Sequence, residues 1–303
     1  SLPSFVLEGN PDDLHPLTNE QLASLIDQPS HQGYQALPER TVKIKQHQDN
    51  IHFAAMVESM DESLGRIIDH IDHLGLTDNT LIVFAADNGG MSGGNFGRAN
   101  RIISEDALDS AFATSNLPLR GAKGWLYEGG IRVPMVVKWP EKFLDSNRIV
   151  EEPIISTDFY PSLLEMAGLP ASNDQTLDGV SFVPALKGEA FDRGPIFWHF
   201  PQYSNHGMQS PGGAVRLGDY KLLEYFEKNT VQLFNLREDI GEQNDLSLTE
   251  PKIREKLIAL LHSWRKDVKA QMPQQNPNYD ADLSQYPPGA LEGGLEWNGF
   301  EMK

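Results

Sequence analysis

The chain contains no cysteine among its 303 residues. That excludes disulfides, thiolate metal sites and a cysteine nucleophile. Positive charge is scarce: 25 Lys and Arg stand against 43 Asp and Glu, a formal net charge of −18. A surface of that sign repels phosphate backbones and excludes nucleic-acid binding through a general basic field. It draws in no anion at long range either, so any anion site must be a local cationic pocket. Long apolar runs are also missing, and none approaches the roughly 20 residues of a membrane-spanning helix. The chain opens Ser1-Leu-Pro-Ser-Phe5, without a Met, a basic segment or an apolar signal core. A mature or trimmed product would open the same way, so the compartment stays open.

What is present fits a folded protein. Hydrophobic residues at 39% and charged residues at 22% argue against wholesale disorder. The length predicts about two domains, or one large domain with an appendage. Residues 1–50 are polar and weakly periodic, and read as a long surface loop with a short helix at Asn19–Ile26. Order becomes plain after that. Phe53, Met56, Val57, Met60, Leu64, Ile67, Ile68, Ile71 and Leu74 fall mostly three and four apart, which predicts an amphipathic helix of about six turns. Gly75 sits where a helix-ending glycine belongs.

Thr80–Ala86 is a nearly continuous apolar run, the pattern of a strand buried on both faces of a parallel sheet. A helix leading by a short turn into such a strand predicts an α/β fold. Residues 89–124 are rich in Gly, Asn, Ser and Arg and read as an excursion above the sheet. Ile131–Trp139 reads as a second strand, with Pro134 at an irregular point. Ser156–Ala167 reads as a helix with Gly168 after its end. Near residue 190 the character changes. Pro195–Phe200, Gly213–Leu217, Tyr220–Glu227 and Val231–Leu236 are short alternating runs joined by turns, which predicts a small antiparallel sheet. Pro251–Ala270 is a helix by its stripe of Ile253, Leu257, Leu260, Leu261, Trp264 and Val268. Residues 272–303 read as irregular.

Three places can carry chemistry. Asp87 and Asn88 stand at the carboxyl end of the buried strand, where open α/β sheets bind ligands. A carboxylate and an amide oxygen are hard donors suited to Ca²⁺ or Mg²⁺. The same Asp-Asn-Gly-Gly is also an ordinary turn. Lys123, between Gly121 and Gly124, can bring a point charge to an oxyanion, or simply be a solvated loop lysine. Arg120 has the same two readings. His199, in Phe197-Trp-His-Phe-Pro201, is either a substrate contact or a sheet histidine packed among aromatics. His47, His52, His70 and His73 converge on no metal motif and read as solvated residues on or near the long helix. Glu151 and Glu152 invite an acid/base role, but a solvated turn accounts for them.

As an ordered set, several segments resemble the sulfatase family, whose fold is like that of alkaline phosphatase. They are Ala54-Ala-Met-Val-Glu-Ser-Met-Asp-Glu-Ser63, Asp78-Asn-Thr-Leu-Ile-Val-Phe-Ala-Ala-Asp-Asn-Gly-Gly90 and Leu119-Arg-Gly-Ala-Lys-Gly-Trp-Leu-Tyr-Glu-Gly-Gly-Ile-Arg-Val-Pro134. Ser156-Thr-Asp-Phe-Tyr-Pro-Ser-Leu-Leu164 and Leu177-Asp-Gly-Val-Ser181 follow. Gly218-Asp-Tyr-Lys-Leu-Leu223 and Leu233-Phe-Asn-Leu-Arg-Glu-Asp239 look like the family's C-terminal subdomain. The resemblance implies an α/β fold: part of an alkaline-phosphatase-like sandwich with a mostly parallel sheet, plus a small α+β subdomain with an antiparallel sheet and a helix. It divides the chain into residues 1–190, the later portion of the catalytic domain, and 191–303, the C-terminal subdomain with its tail.

The resemblance also implies an activity, hydrolysis of sulfate esters of carbohydrates or aryl compounds. Asp87 and Asn88 match ligands of a single divalent cation, Ca²⁺ (or Mg²⁺). Lys123 matches the lysine that contacts the sulfate and is the catalytic candidate; Arg120 and His199 remain substrate-contact candidates on the reading of the residues alone. The family's nucleophile is a formylglycine made from Cys or Ser in Cys/Ser-x-Pro-x-Arg. Neither Ser1-Leu-Pro-Ser-Phe5 nor Ser115-Asn-Leu-Pro-Leu-Arg120 fits that pattern. The expectation is therefore the C-terminal part of a sulfatase, inactive alone, completed by an N-terminal chain or by self-association, with a sulfated small molecule or glycan as ligand. Family habit implies a periplasmic or secreted location. A non-catalytic sulfated-glycan-binding module, and a phosphoesterase or phosphonate hydrolase of the same superfamily, are the alternatives.

Overall fold

A computed structural model describes residues 5–8, 42–45, 48, 50–91, 113–140, 149–170, 176–202, 209, 211–226 and 229–274. The expected helix at Asn19–Ile26, His47, most of the Gly-rich excursion and most of the irregular tail lie outside the described residues. The chain forms two units. One comprises Ser1–Glu58, Ala86–Pro134 and Phe197–Lys303; the other comprises Ser59–Ala85 and Met135–Ile196. This grouping differs from the sequence division near residue 190. Residues 86–134 group with the C-terminal part, because their apolar side chains pack on its sheet.

In the first unit, strands β1 (Phe5–Glu8) and β2 (Val42–Lys45) pair antiparallel, where the sequence suggested only loop. Helix α1 (Ile51–His73) begins in this unit, with the Asn50 side chain accepting from the amides of His52 and Phe53. It ends as expected at Gly75, whose φ of +65° closes the helix. The centre of the unit is a four-stranded sheet in the order β5 (Ile196–Phe200), β6 (Gly212–Leu217), β7 (Tyr220–Tyr225), β8 (Thr230–Asn235). β6, β7 and β8 form an antiparallel meander.

Period-two alternation gives this sheet two different faces. Val215, Leu222 and Leu233 pack on Leu257 and Leu261 of the C-terminal helix, Pro251–Asp267. Ala214, Leu223, Tyr225 and Phe234 pack instead on Trp125, Leu126 and Tyr127. The loop that carries Lys123 is therefore held to the sheet by three consecutive buried side chains.

The second unit contains β3 (Ile82–Ala85) and β4 (Met135–Lys138), paired antiparallel with Ile82 opposite Lys138. β3 is only partly buried, and its pairing with β4 is antiparallel. The apolar run signals a strand able to lie under cover on both faces, but it does not supply its neighbours. Residues 128–131 form a short helical turn, which we label α2 (Glu128–Ile131), so the second strand starts later than the sequence suggests. A 3-10 turn at Ser156–Asp158 leads into α3 (Phe159–Met166), and α4 is Val183–Lys187. The C-terminal helix of the first unit is then α5. Buried Asp158 locks this unit: it accepts from the Ile155 amide at 2.9 Å and the Val180 amide at 3.0 Å, and takes a bidentate pair from Arg193 with both contacts at 3.0 Å.

Candidate functional site

Asp87 and Asn88 follow β3 after a single residue, Ala86, and the backbone after them is tied to the Lys123 loop. The Gly89 amide donates to the Gly130 carbonyl at 3.0 Å, and the Lys123 amide donates to the Gly90 carbonyl at 3.1 Å. The same Gly90 carbonyl accepts from Asn116 Nδ2 at 2.8 Å, so both its lone pairs are used. The glycines are what let these chains approach. A Cβ on Gly89 would lie 1.8 Å from the Gly129 carbonyl oxygen, and one on Gly129 would lie 2.3 Å from that of Gly121. Neither contact could be relieved by moving a side chain, since both obstacles are backbone. Asp-Asn-Gly-Gly is therefore more than a turn; it is one half of a backbone interlock.

Asp87 is exposed, and Asn88 and Lys123 are half-buried. All three thus keep contact with solvent, while the backbone at Gly89, Gly90 and Lys123 is hydrogen-bonded in place. As metal donors, Asp87 and Asn88 are hard oxygens of the right kind for Ca²⁺ or Mg²⁺, but they are two where Ca²⁺ takes about six to eight. No group of three or more acidic or histidine side chains able to hold a metal occurs among the described residues. The donor pair fits such an ion in kind and needs further ligands in number.

Arg120 and His199 are placed differently. Arg120 turns inward: its Nη1 donates to the Glu242 carbonyl at 2.8 Å, and its guanidinium lies 4.1 Å from the centre of the Tyr127 ring. Strand alternation decides His199. Trp198 and Phe200 pack with the Trp125–Tyr127 cluster, whereas Phe197 stacks on Trp264 of α5 at 4.8 Å. His199 shares the parity of Phe197. Its Nε2 lies 2.7 Å from the Gln271 carbonyl, and its ring packs near Phe226. The structure thus ties Gly89 and Gly90, which follow Asp87-Asn88, to the loop that carries Lys123, and sets His199 on the sheet face away from that loop.

The sequence reading missed a buried charge cluster beneath this loop. Lys221 Nζ lies 2.9 Å from Glu128 Oε1 and 2.9 Å from Glu242 Oε1, and all three residues are sequestered. Glu242 Oε2 accepts from the Glu128 amide at 2.7 Å. Arg216 and Arg132 face Glu128 from 3.8 and 3.7 Å. Burial pushes the Glu128 carboxyl up, but the Lys221 ammonium, helped by the two arginines, outweighs it and holds the group below its ordinary range. At Glu242 burial wins, assisted by the Glu128 charge, and the carboxyl is pushed up despite Lys221. A signal for Lys221 existed in the sequence. In Tyr-Lys-Leu-Leu-Glu-Tyr it shares the parity of Leu223 and Tyr225, and a lysine on an apolar face must have a partner. Nothing in the sequence around Glu242 gave a comparable signal.

Comparison with known proteins identifies relatives of the chain. The family model described as Sulfatase matches residues 14–169. The one described as N-sulphoglucosamine sulphohydrolase, C-terminal, matches residues 122–271. A sulfatase of Formosa agariphila is 32% identical over 234 residues, which is 70% of this chain and 39% of that protein. The steryl-sulfatase of Mus musculus is 36% identical over 140 residues, 44% of this chain and 20% of its own length. Among solved structures, Ps i-CgsB matches with a TM-score of 0.58 at 28% identity, covering 77% of this chain and 46% of that one. BT4656, solved with its substrate D-glucosamine-2-N,6-O-disulfate, matches with a TM-score of 0.53 at 24% identity, covering 72% and 40%. These likenesses show an alkaline-phosphatase-like α/β fold. The chain spans 39% or less of the length of these two curated relatives.

Proposed function

The chain belongs to the sulfatase family, and from that premise we propose that it supplies the metal-and-lysine side of a sulfuric ester hydrolase site. The observation that carries this reading is the backbone interlock joining Gly89-Gly90, directly after Asp87-Asn88, to the Lys123 loop. Lys123 would contact the ester's sulfuryl oxygens, and its ammonium would offset negative charge that grows there in the transition state. Asp87 and Asn88 would hold two positions of a Ca²⁺ (or Mg²⁺) ion, which when bound supplies Lewis-acid polarisation. Arg120 would act from behind, fixing the loop rather than touching substrate.

The chain holds no cysteine and no Ser-x-Pro-x-Arg, so the nucleophile of the family pattern is not among its residues. We propose that a polypeptide bearing that segment completes the site. The exposed apolar face of α1 supports a covering partner: no residue of this helix is buried. Sulfated carbohydrates are the favoured substrates, since BT4656 acts on a sulfated glucosamine and the C-terminal family model is that of a sulphoglucosamine hydrolase.

The test is hydrolysis of an aryl sulfate and a panel of sulfated sugars, with phosphate and phosphonate esters beside them. The chain alone should be inert. Mixed with an N-terminal sulfatase polypeptide carrying formylglycine, it should cleave sulfate esters, and Lys123→Ala should cut kcat/KM by about a hundredfold or more, the scale of losing an electrostatic contact to the transition state. Turnover by the chain alone, or a preference for phosphate or phosphonate esters, would overturn the proposal. Glycan binding without hydrolysis in the assembled protein would point to the non-catalytic alternative.

A further inference from the structure

We propose that Glu242 is a positioning residue for this site, clamping both ends of the Arg120–Glu128 segment so that Lys123 keeps its register with Asp87-Asn88. Glu242 is fully buried and holds that segment by two different groups. Its main-chain carbonyl accepts from Arg120 Nη1 at 2.8 Å, at the start of the segment. Its carboxylate accepts from the Glu128 amide at 2.7 Å, at the end. The segment closes on itself between these points, with the Gly129 amide donating to the Arg120 carbonyl at 2.6 Å. Lys123 lies within this closed loop.

The backbone at Glu242 argues that its side chain is needed. Its φ is +53°, in the left-handed region that a glycine enters freely and other residues seldom do. A carboxylate is held there at some cost in backbone strain. Its second oxygen lies at ion-pair distance from Lys221, though not aligned as a hydrogen bond. Lys221 is rooted in β7, at the centre of the sheet, so the clamp is anchored to the most buried part of the unit. From the clamped loop, the register passes outward through Lys123 to Gly90 and Gly130 to Gly89.

The chemical role rests on the sulfatase reading; the clamp itself does not. Hydrogen exchange on the full chain separates the two. Glu242→Ala should speed exchange at the amides of Gly89, Lys123 and Gly129 by about tenfold or more, the scale of losing a hydrogen bond to a charged acceptor. Amides of Leu222, Leu233 and Ser162 should keep wild-type protection. Glu242→Gln, which retains an acceptor for the Glu128 amide, should restore most of the protection. Should Glu242→Ala not fold, Arg120→Met removes the carbonyl contact and must loosen the same three amides. Unchanged exchange at those amides, or a uniform rise across the sheet, overturns the clamp. In the completed enzyme, Glu242→Ala should lower kcat about tenfold or more while KM moves less than about threefold. Wild-type kcat in that variant also overturns it. If the exchange pattern holds but the completed wild-type protein cleaves no sulfate ester, the sulfatase reading falls and the clamp stands.

Discussion

Helices α5 and α1 carry the same kind of apolar stripe and end in opposite surroundings. In α5, Leu257 and Leu261 disappear beneath Val215, Leu222 and Leu233. In α1, Met56, Met60 and Ile67 stay 69%, 50% and 57% exposed. Periodicity tells which face of a helix is apolar. What covers that face depends on segments far away in sequence, and for α5 they are the strands of its own unit. The difference makes one stripe a core and leaves the other exposed to solvent.

The comparison breaks most readily at its buried end. Lys221→Met should cost roughly 3–5 kcal/mol, because it removes the buried cation that two sequestered carboxyls share and leaves Glu242 without one. Leu261→Ala should cost about 2–5 kcal/mol through lost burial and the cavity left between α5 and the sheet. Denaturant melts with matched slopes measure both. By contrast, the Arg237–Asp219 pair, with side chains 75% and 42% exposed, should change stability by no more than about 1 kcal/mol when Arg237 becomes Ala. If Leu261→Ala were as mild as that surface substitution, the sheet–helix layer would not be the core described above.

A smaller effect, and a sharper one, is the pH dependence of the buried cluster. Glu242, pushed above its ordinary 4.5, binds more protons folded than unfolded, so its contribution to stability falls as pH rises from about there through the raised value. Glu128, held below 4.5, does the reverse: its contribution is present above that range and is lost on acidification. Glu242→Gln removes only the first slope. Wild type and variant should therefore melt alike in acid, and the wild type should fall behind progressively as pH rises. Parallel melting curves across pH, or a difference of opposite sign, would reject this assignment. The charges that set it are Lys221, Glu128, Arg216 and Arg132.

Much of the local structure could be read from the residues. The stripe through Phe53–Leu74 marks α1, and alternation marks β5 to β8. The family pattern picks out Asp87, Asn88 and Lys123, and the glycines after the first two are bonded to the loop of the third. The unread parts share a cause: each depends on which distant residues meet. Thr80–Ala86 is apolar enough for a parallel core strand, yet β3 pairs antiparallel with β4, because composition does not choose a partner. Residues 86–134 read as part of the first domain, but Trp125, Leu126 and Tyr127 fasten them to the C-terminal sheet. His199 was an open choice between substrate contact and sheet packing. Counting parity from Phe197 and its stack on Trp264 sets it facing α5. Glu242 lies in a turn with no periodic neighbour, so only its contacts reveal it.

The mildest effect on stability is also the one that tests the exposed end of the comparison. Met60→Gln and Ile67→Ser replace apolar side chains that already face solvent, so the chain's own unfolding free energy should move by less than about 0.5 kcal/mol. Association should respond instead. If a sulfatase N-terminal polypeptide, or a second copy of the chain, covers this stripe, both substitutions should weaken that contact. Light scattering of the chain alone, and co-elution with the polypeptide, report it. A loss of several kcal/mol in the isolated chain would mean that α1 already has a cover within its own sequence. The stripe would then be core rather than interface, and its exposure would no longer support a completing partner.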